Sequence, residues 1–337
     1  MSPTDKTEVQ FFQQIKEMLP ANISLVDEVA DILQISNDSA YRRIRGETAL
    51  TLDEVKILCD HFKISLESLF GNGNGDTVTF TYKTLDSKEI SFEKYLQSML
   101  DDVKMIEKSE QKEIIYAAKD IPVFHHFQFP ELAAFKIFFW MKSVLNVPSL
   151  EKKLFDTGDI DAKFIDIGQQ ILKAYEKIPA IEIWTEETLT GTVKQLEYCW
   201  DSGFFKNKQD AILICEQLAE MMNHIKKQAE LGVKFRHDKP PGRQEENYKL
   251  YYSDVTIGNN NILVSMGAAQ VTYLTHNTLN YLITSNPGFC RETEQSLKSI
   301  IKKSTLISGV SEKQRQQFFR KALDDIHLLK GKVVGDR

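Results

Sequence analysis

The chain has 337 residues, 42% of them hydrophobic and 27% charged, with a formal net charge of −6. That length predicts two or three domains, and the balance is that of a soluble globular protein with real cores, not of a disordered one. The net charge excludes a generally basic, nucleic-acid-coating surface, and the four cysteines, at 59, 199, 215 and 290, contain no CxxC pair that would suggest a zinc ribbon or a disulfide framework.

Buried, reduced thiols are expected instead. The first twelve residues, MSPTDKTEVQFF, lack the basic-then-apolar pattern of a secretory signal. The most apolar run, residues 133–147, is too short to span a bilayer and carries Lys136 and Lys142. The expectation is a cytoplasmic chain with no membrane association.

Residues 1–70 read as five short helices. Val9, Phe12, Ile15 and Leu19 recur at helical spacing, so the first helix buries one face. After a break at residues 20–22, Ser24 and Asp27 form a capping-box pattern that opens a helix to about Leu33. Ser36 is a good N-cap for a third helix to about Arg45, and Gly46 suits its stop. Thr51 and Glu54 make a second capping box, with Leu52, Val55, Cys59 and Phe62 on one side of the helix that follows. Ser65 caps a last helix at residues 66–70. Residues 71–76 (GNGNGD) have high backbone entropy and little to pack, and they predict a linker.

Beyond it, residues 77–84 alternate like a strand and residues 90–107 read as a helix. Residues 114–129 read as one or two strands around Pro122. Helices are expected at 131–146, 160–177, 188–202 and 208–231, then a polar loop at 236–247 that is a possible subdomain boundary. Strand-like runs at 248–257, 262–266 and 270–274 suggest a meander, and helices at about 292–304 and 311–330 end the chain. The fold class expected is multidomain: an all-α five-helix N-terminal domain and a larger, helix-rich mixed α/β region over residues 77–337.

The informative segment is residues 24–70. A helix-turn-helix packs two short helices so that the second offers its N-terminal side chains to a DNA major groove. Ala30 is the small residue the tight turn requires, Ile35 points inward from the turn, and Ser36 caps the second helix. Val29-Ala30, Leu33, Ile35-Ser36, Arg45-Gly46, Leu52 to Glu54 and Phe62 to Leu66 together resemble the lambda-repressor-like, Cro-type (XRE-family) helix-turn-helix transcription regulators, over about a fifth of the chain. Gln34 stands where that family usually carries glycine, so the turn asks a glutamine to adopt φ > 0. Ala40 replaces the usual bulky apolar residue of the recognition helix, and Arg43-Ile44 the usual apolar-then-acidic pair near its end.

The resemblance implies a bacterial-type regulator that binds double-stranded DNA as a homodimer on an inverted repeat. Geometry nominates Asn37, Asp38, Ser39, Tyr41 and Arg42, in the first turns of the recognition helix, as groove-facing. Asn37 suits adenine and Arg42 a bidentate contact to guanine, while Tyr41 suits a sugar or a thymine methyl. Arg43 and Arg45 are placed for phosphates, as are Ser24, Ser36 and Thr51 through the helix N-termini they cap. Against this, residues 1–70 hold seven Lys plus Arg and twelve Asp plus Glu, a net of −5, so attraction to DNA must be local.

Little else carries chemistry. His125 and His126, read on a strand, point to opposite faces and cannot share a metal ion. Trp140, Trp184 and Trp200 read as core. Residues 182–187 (EIWTEE) read as a solvated helix start, and His276 ends a strand alone. No phosphate-binding glycine loop occurs. No catalytic residue, metal or cofactor is expected, and the larger region is expected to sense a small molecule or peptide or to dimerise. Two alternatives remain open: an enzyme with a DNA-binding appendage, or an antitoxin-like interaction protein.

Overall fold

A computed structural model describes residues 4–19, 23–62, 64, 78–82, 85, 89–159, 161–241 and 246–336. The chain divides into two compact units, Met1–Phe80 and Thr81–Arg337.

The first unit contains helices α1 (Thr4–Met18), α2 (Leu25–Leu33), α3 (Asn37–Ile44) and α4 (Leu52–Phe62). Each of the last three begins at a local cap. The backbone N–H of Asp27 donates to Ser24 Oγ (3.4 Å), that of Ser39 to Ser36 Oγ (3.3 Å), and that of Glu54 to Thr51 Oγ1 (3.2 Å). Their apolar faces meet in one core built on Phe11, Phe12, Ile15, Val29, Ala40 and Leu58. Two residues expected on buried faces are not there: Val9 is 45% exposed and Leu52 is 85% exposed, with Phe11 and Leu58 taking the inner positions. The expected helix at 66–70 and the linker at 71–76 lie outside the described residues.

The second unit is built on an eight-stranded sheet in the order β1-β7-β6-β5-β2-β3-β4-β8. Its strands are β1 (Thr81–Tyr82), β2 (Lys112–Ala118), β3 (Ala180–Trp184), β4 (Tyr248–Tyr252), β5 (Asn261–Met266), β6 (Ala269–His276), β7 (Asn280–Thr284) and β8 (Thr305–Leu306). The central β2, β3 and β4 run parallel, and the remaining pairings are antiparallel. Helices α5 (Glu89–Lys108), α6 (Val123–His126), α7 (Pro130–Phe139), α8 (Ala162–Tyr175), α9 (Glu186–Asp201), α10 (Lys208–Leu231), α11 (Pro287–Lys302) and α12 (Glu312–Gly335) complete it.

Alternation along β2 assigns the two faces. Ile114, Tyr116 and Ala118 enter the large core, whereas Ile115 and Ala117 join a smaller one with Cys290 and Leu297 of α11. The sheet is thus covered on both faces, as parallel strands require. All four cysteines are free and buried.

Several expectations are corrected. The run at 114–129 is not strand throughout: β2 stops at Ala118, and Val123–His126 form a helical turn. Of the alternating run at 77–84, only Thr81–Tyr82 pairs, with β7. Residues 182–184 belong to a central strand, and the helix begins only at Glu186, where Thr185 and Thr188 cap it reciprocally. The meander is β5-β6-β7, not one that includes β4, which lies beside β3. Residues 236–247 connect helix α10 to β4 within one sheet, since β3 and β4 pair on either side of them.

Candidate nucleic-acid interface

The α2–turn–α3 unit is closed by backbone hydrogen bonds. The N–H groups of Gln34 and Ile35 donate to Asp31 O (3.3 Å) and Ala30 O (3.0 Å). Gln34 adopts φ 54°, ψ 45°, the left-handed conformation expected at the family's glycine position. Ala30 and Ala40, 3% and 0% exposed, put small side chains in the core between α2 and α3, so the two helices approach closely. The absence of a bulky residue at Ala40 is offset by Phe11 and Phe12 of α1 in the same core.

One face of α3 is therefore fixed inward by Ala40 and Ile44, and Asp38, Tyr41 and Arg42 on its other side are exposed. Tyr41 is 48% exposed, and the Arg45 guanidinium lies over its ring at 5.4 Å. Arg42 is exposed and ion-paired to Asp38 one turn earlier (3.2 Å), and Arg45 to Glu47 (3.4 Å). Both pairs are open to water and contribute little, so either cation can exchange its carboxylate for a phosphate or base. The Asn37 amide donates to Asp27 (2.8 Å), which ties the start of α3 to α2 and leaves its second N–H and its carbonyl for a partner. Ser39 is half-buried, and its Oγ accepts from the Ser36 hydroxyl (2.9 Å).

Two of the nominated residues are committed elsewhere. Arg43 donates from Nε and Nη2 to Glu54 Oε1 (3.1 and 2.8 Å) and from Nη1 to Ser39 O (3.2 Å), and its side chain is only 17% exposed. It joins α3 to α4 and is not placed for a phosphate. Glu54 also accepts the Thr51 N–H (2.9 Å), so the anion-attracting end of α4 is filled by an internal carboxylate. Burial alone would raise the Glu54 carboxyl, but the hydrogen bonds from Arg43 and Thr51 outweigh it and hold it below the usual range. Thr51 is thus a cap, not a phosphate site. Ser24 and Ser36 also use their hydroxyls as caps, and what their helix N-termini offer outward is backbone N–H.

The other sequence candidates lie in the second unit, in two places. Glu182, 0% exposed on β3, is surrounded by donors from three other elements and its own strand: His125 Nε2 (3.0 and 3.1 Å), the Tyr175 and Tyr248 hydroxyls, and Trp184 Nε1 (2.9 Å). Burial would raise its carboxyl, yet His125 and the Tyr175 hydroxyl hold it below the usual range. The reading of residues 182–187 as a solvated helix start fails here, because tertiary partners satisfy this charge. His126, on the same helical turn as His125, reaches Thr192 Oγ1 instead (3.3 Å). His276 packs edge-on against Tyr82. Among the described residues no cluster of histidine, cysteine or carboxylates could hold a metal ion, and no helix is long and apolar enough to cross a membrane.

Residues 11–89 match the family model of the BetR domain, a helix-turn-helix-type DNA-binding domain. The match covers under a quarter of the 337 residues and takes in α2, the turn, α3 and α4 whole. No curated protein and no solved structure matches the chain. The N-terminal helical unit is accordingly a helix-turn-helix domain of the DNA-binding type.

Proposed function

We infer that the chain is a sequence-specific transcription regulator of the lambda-repressor-like, Cro-type (XRE-family) kind, acting in a bacterial cytoplasm. In this reading it binds an inverted-repeat operator in double-stranded DNA as a homodimer and turns over no substrate. The unit Thr81–Arg337 supplies dimerisation and senses a small molecule or peptide. The observation that carries the reading is the outward face of α3: Tyr41, Arg42 and Arg45 are exposed on a short, capped helix whose other face is locked into the core.

Selection from random duplex pools tests it. The expected product is a recurrent motif, and Arg42→Ala should cost about 1–3 kcal/mol and relax preference at one base position. Arg45→Ala should weaken binding to all sequences alike. Recovery of no motif, or an unchanged motif and affinity in Arg42→Ala, overturns the assignment.

A further inference from the structure

β2 and β3 run parallel and end, at Ala118 and Trp184, on the same edge of the sheet, while β5, on the other side of β2, runs the opposite way. The carboxyl ends of parallel strands are the side on which open α/β sheets bind ligands. A cavity of about 560 Å³ lies there. Its wall is formed by the segment after β2, by helix α9, by Asn259 and Asn260 before β5, and by the β6–β7 turn.

Three features distinguish it from a packing void. The first is the buried Lys136, 1% exposed, whose ammonium meets Asp120 (2.7 Å), Gln195 (2.8 Å) and Thr192 (3.3 Å) beneath the cavity wall. A buried cation is tolerated only when so paired. Gly191 lets α9 approach this pair: a Cβ there would stand 2.8 Å from Asp120 Oδ1. The second is the π-helical turn Trp140–Val144 continuing α7, a rare geometry common at functional sites, whose first residue, Trp140, lines the cavity. The third is the rim at Asn277 and Thr278, with φ of 49° and 68°. A β-branched residue at positive φ is strained, and such strain concentrates at ligand-binding walls.

Both signs of charge line the two cavities: Lys119, Asp120, Glu187 and Lys194 in the larger, Asp102 in the smaller. Lys119 pairs with Glu187 and Lys136 with Asp120, whereas Lys194 on the wall has no carboxylate within ion-pair distance among the described residues. A second, smaller cavity of about 90 Å³ lies between α5 and the sheet; Met99, Ile114 and Val264 make much of its lining apolar, with Asp102 and Asn280 also on its wall. The two adjoin: Tyr95, Tyr116, Val123 and Tyr281 line both. We propose that this pair of cavities binds a small monocarboxylate with a short alkyl arm, its carboxylate toward Lys194 and its arm in the slot against Met99. The site belongs to the second unit alone and stands whether or not the chain binds DNA.

Titration of the full-length chain with hexanoate, acetate and hexylammonium tests it, read by thermal unfolding and tryptophan fluorescence. Hexanoate should bind with a dissociation constant on the order of 1 mM, raise the melting temperature and change the fluorescence. Acetate, without the arm, should bind at least about tenfold more weakly, and hexylammonium should not compete. Lys194→Glu, at an exposed position, should weaken hexanoate at least about tenfold, read against the variant's own unliganded melting temperature. Trp140→Phe should abolish the fluorescence change while hexanoate still raises the melting temperature. No hexanoate binding, equal binding of hexylammonium, full affinity in Lys194→Glu, or a fluorescence change that survives Trp140→Phe would each overturn the proposal.

Discussion

Adjacent arginines on one helix have opposite duties here. A step of one residue turns an α-helix by roughly 100°, so Arg42 faces outward while Arg43 turns to Glu54. Arg43→Ala should therefore lower the thermal stability of the N-terminal unit, by about 1–2 kcal/mol, since it leaves a part-buried carboxylate short of its partner. The base preference of whatever DNA binds should not change. Arg42→Ala should do the reverse, which calorimetry and binding assays on both variants can separate. In the second unit, His126 and His224 are buried, which depresses them to about 3 and about 4. Both are neutral in the folded chain at neutral pH but take up a proton near pH 6.5 when unfolded. The folded state then binds fewer protons than the unfolded one over that interval, so stability is full above about pH 6.5 and falls as the pH drops toward 4. Each histidine contributes a slope of at most about 1.4 kcal/mol per pH unit. Urea unfolding between pH 7 and pH 4 should record this loss, and His126→Leu should remove about half of it.

At the scale of elements, what could be read from sequence is what local chemistry decides. Ser24, Ser36 and Thr51 announce their helices because a cap hydrogen bond spans only three residues. The turn at Gln34 was legible by its resemblance to a glycine-bearing pattern, and its left-handed backbone has a measurable consequence. Gln34→Gly should stabilise the N-terminal unit by about 1 kcal/mol, because glycine adopts φ 54° without a Cβ clash. An unchanged or lower melting temperature would mean that the glutamine side chain contributes more than the strain costs. The strand β3 was illegible for the opposite reason. Its Glu182 looks like a surface residue until His125 and Tyr248, 57 and 66 residues away, and the nearer Tyr175 close around it. β7 was missed because its turn, at Asn277 and Thr278, carries no glycine. On the recognition helix Tyr41 and Arg42 are exposed, as expected, whereas the duties of Arg43 and Thr51 depend on a carboxylate of the next helix and could not be read locally.

For the whole molecule, charge decides how many heads must act together. Residues 1–70 carry a net charge of −5, and the exposed cations of α3 and its cap, Arg42 and Arg45, each already face a carboxylate. One head can therefore bring only about two positive charges to the duplex, and its affinity should change with salt with a logarithmic slope of only about −2. Two heads on one duplex should give about −4, with recognition helices roughly 34 Å apart or a multiple of one helical turn, and an inverted repeat as the selected site. The dimer contacts are expected from Thr81–Arg337, because the apolar face of each N-terminal helix is already spent on its own core. Fluorescence anisotropy over a series of salt concentrations, with sedimentation to fix stoichiometry, measures both quantities on the same sample. A monomer that binds an asymmetric half-site tightly with a slope near −2 would contradict the two-headed reading. A dimer with a slope near −4 that loses about half of it in the Arg45→Ala homodimer would place Arg45 at the DNA backbone.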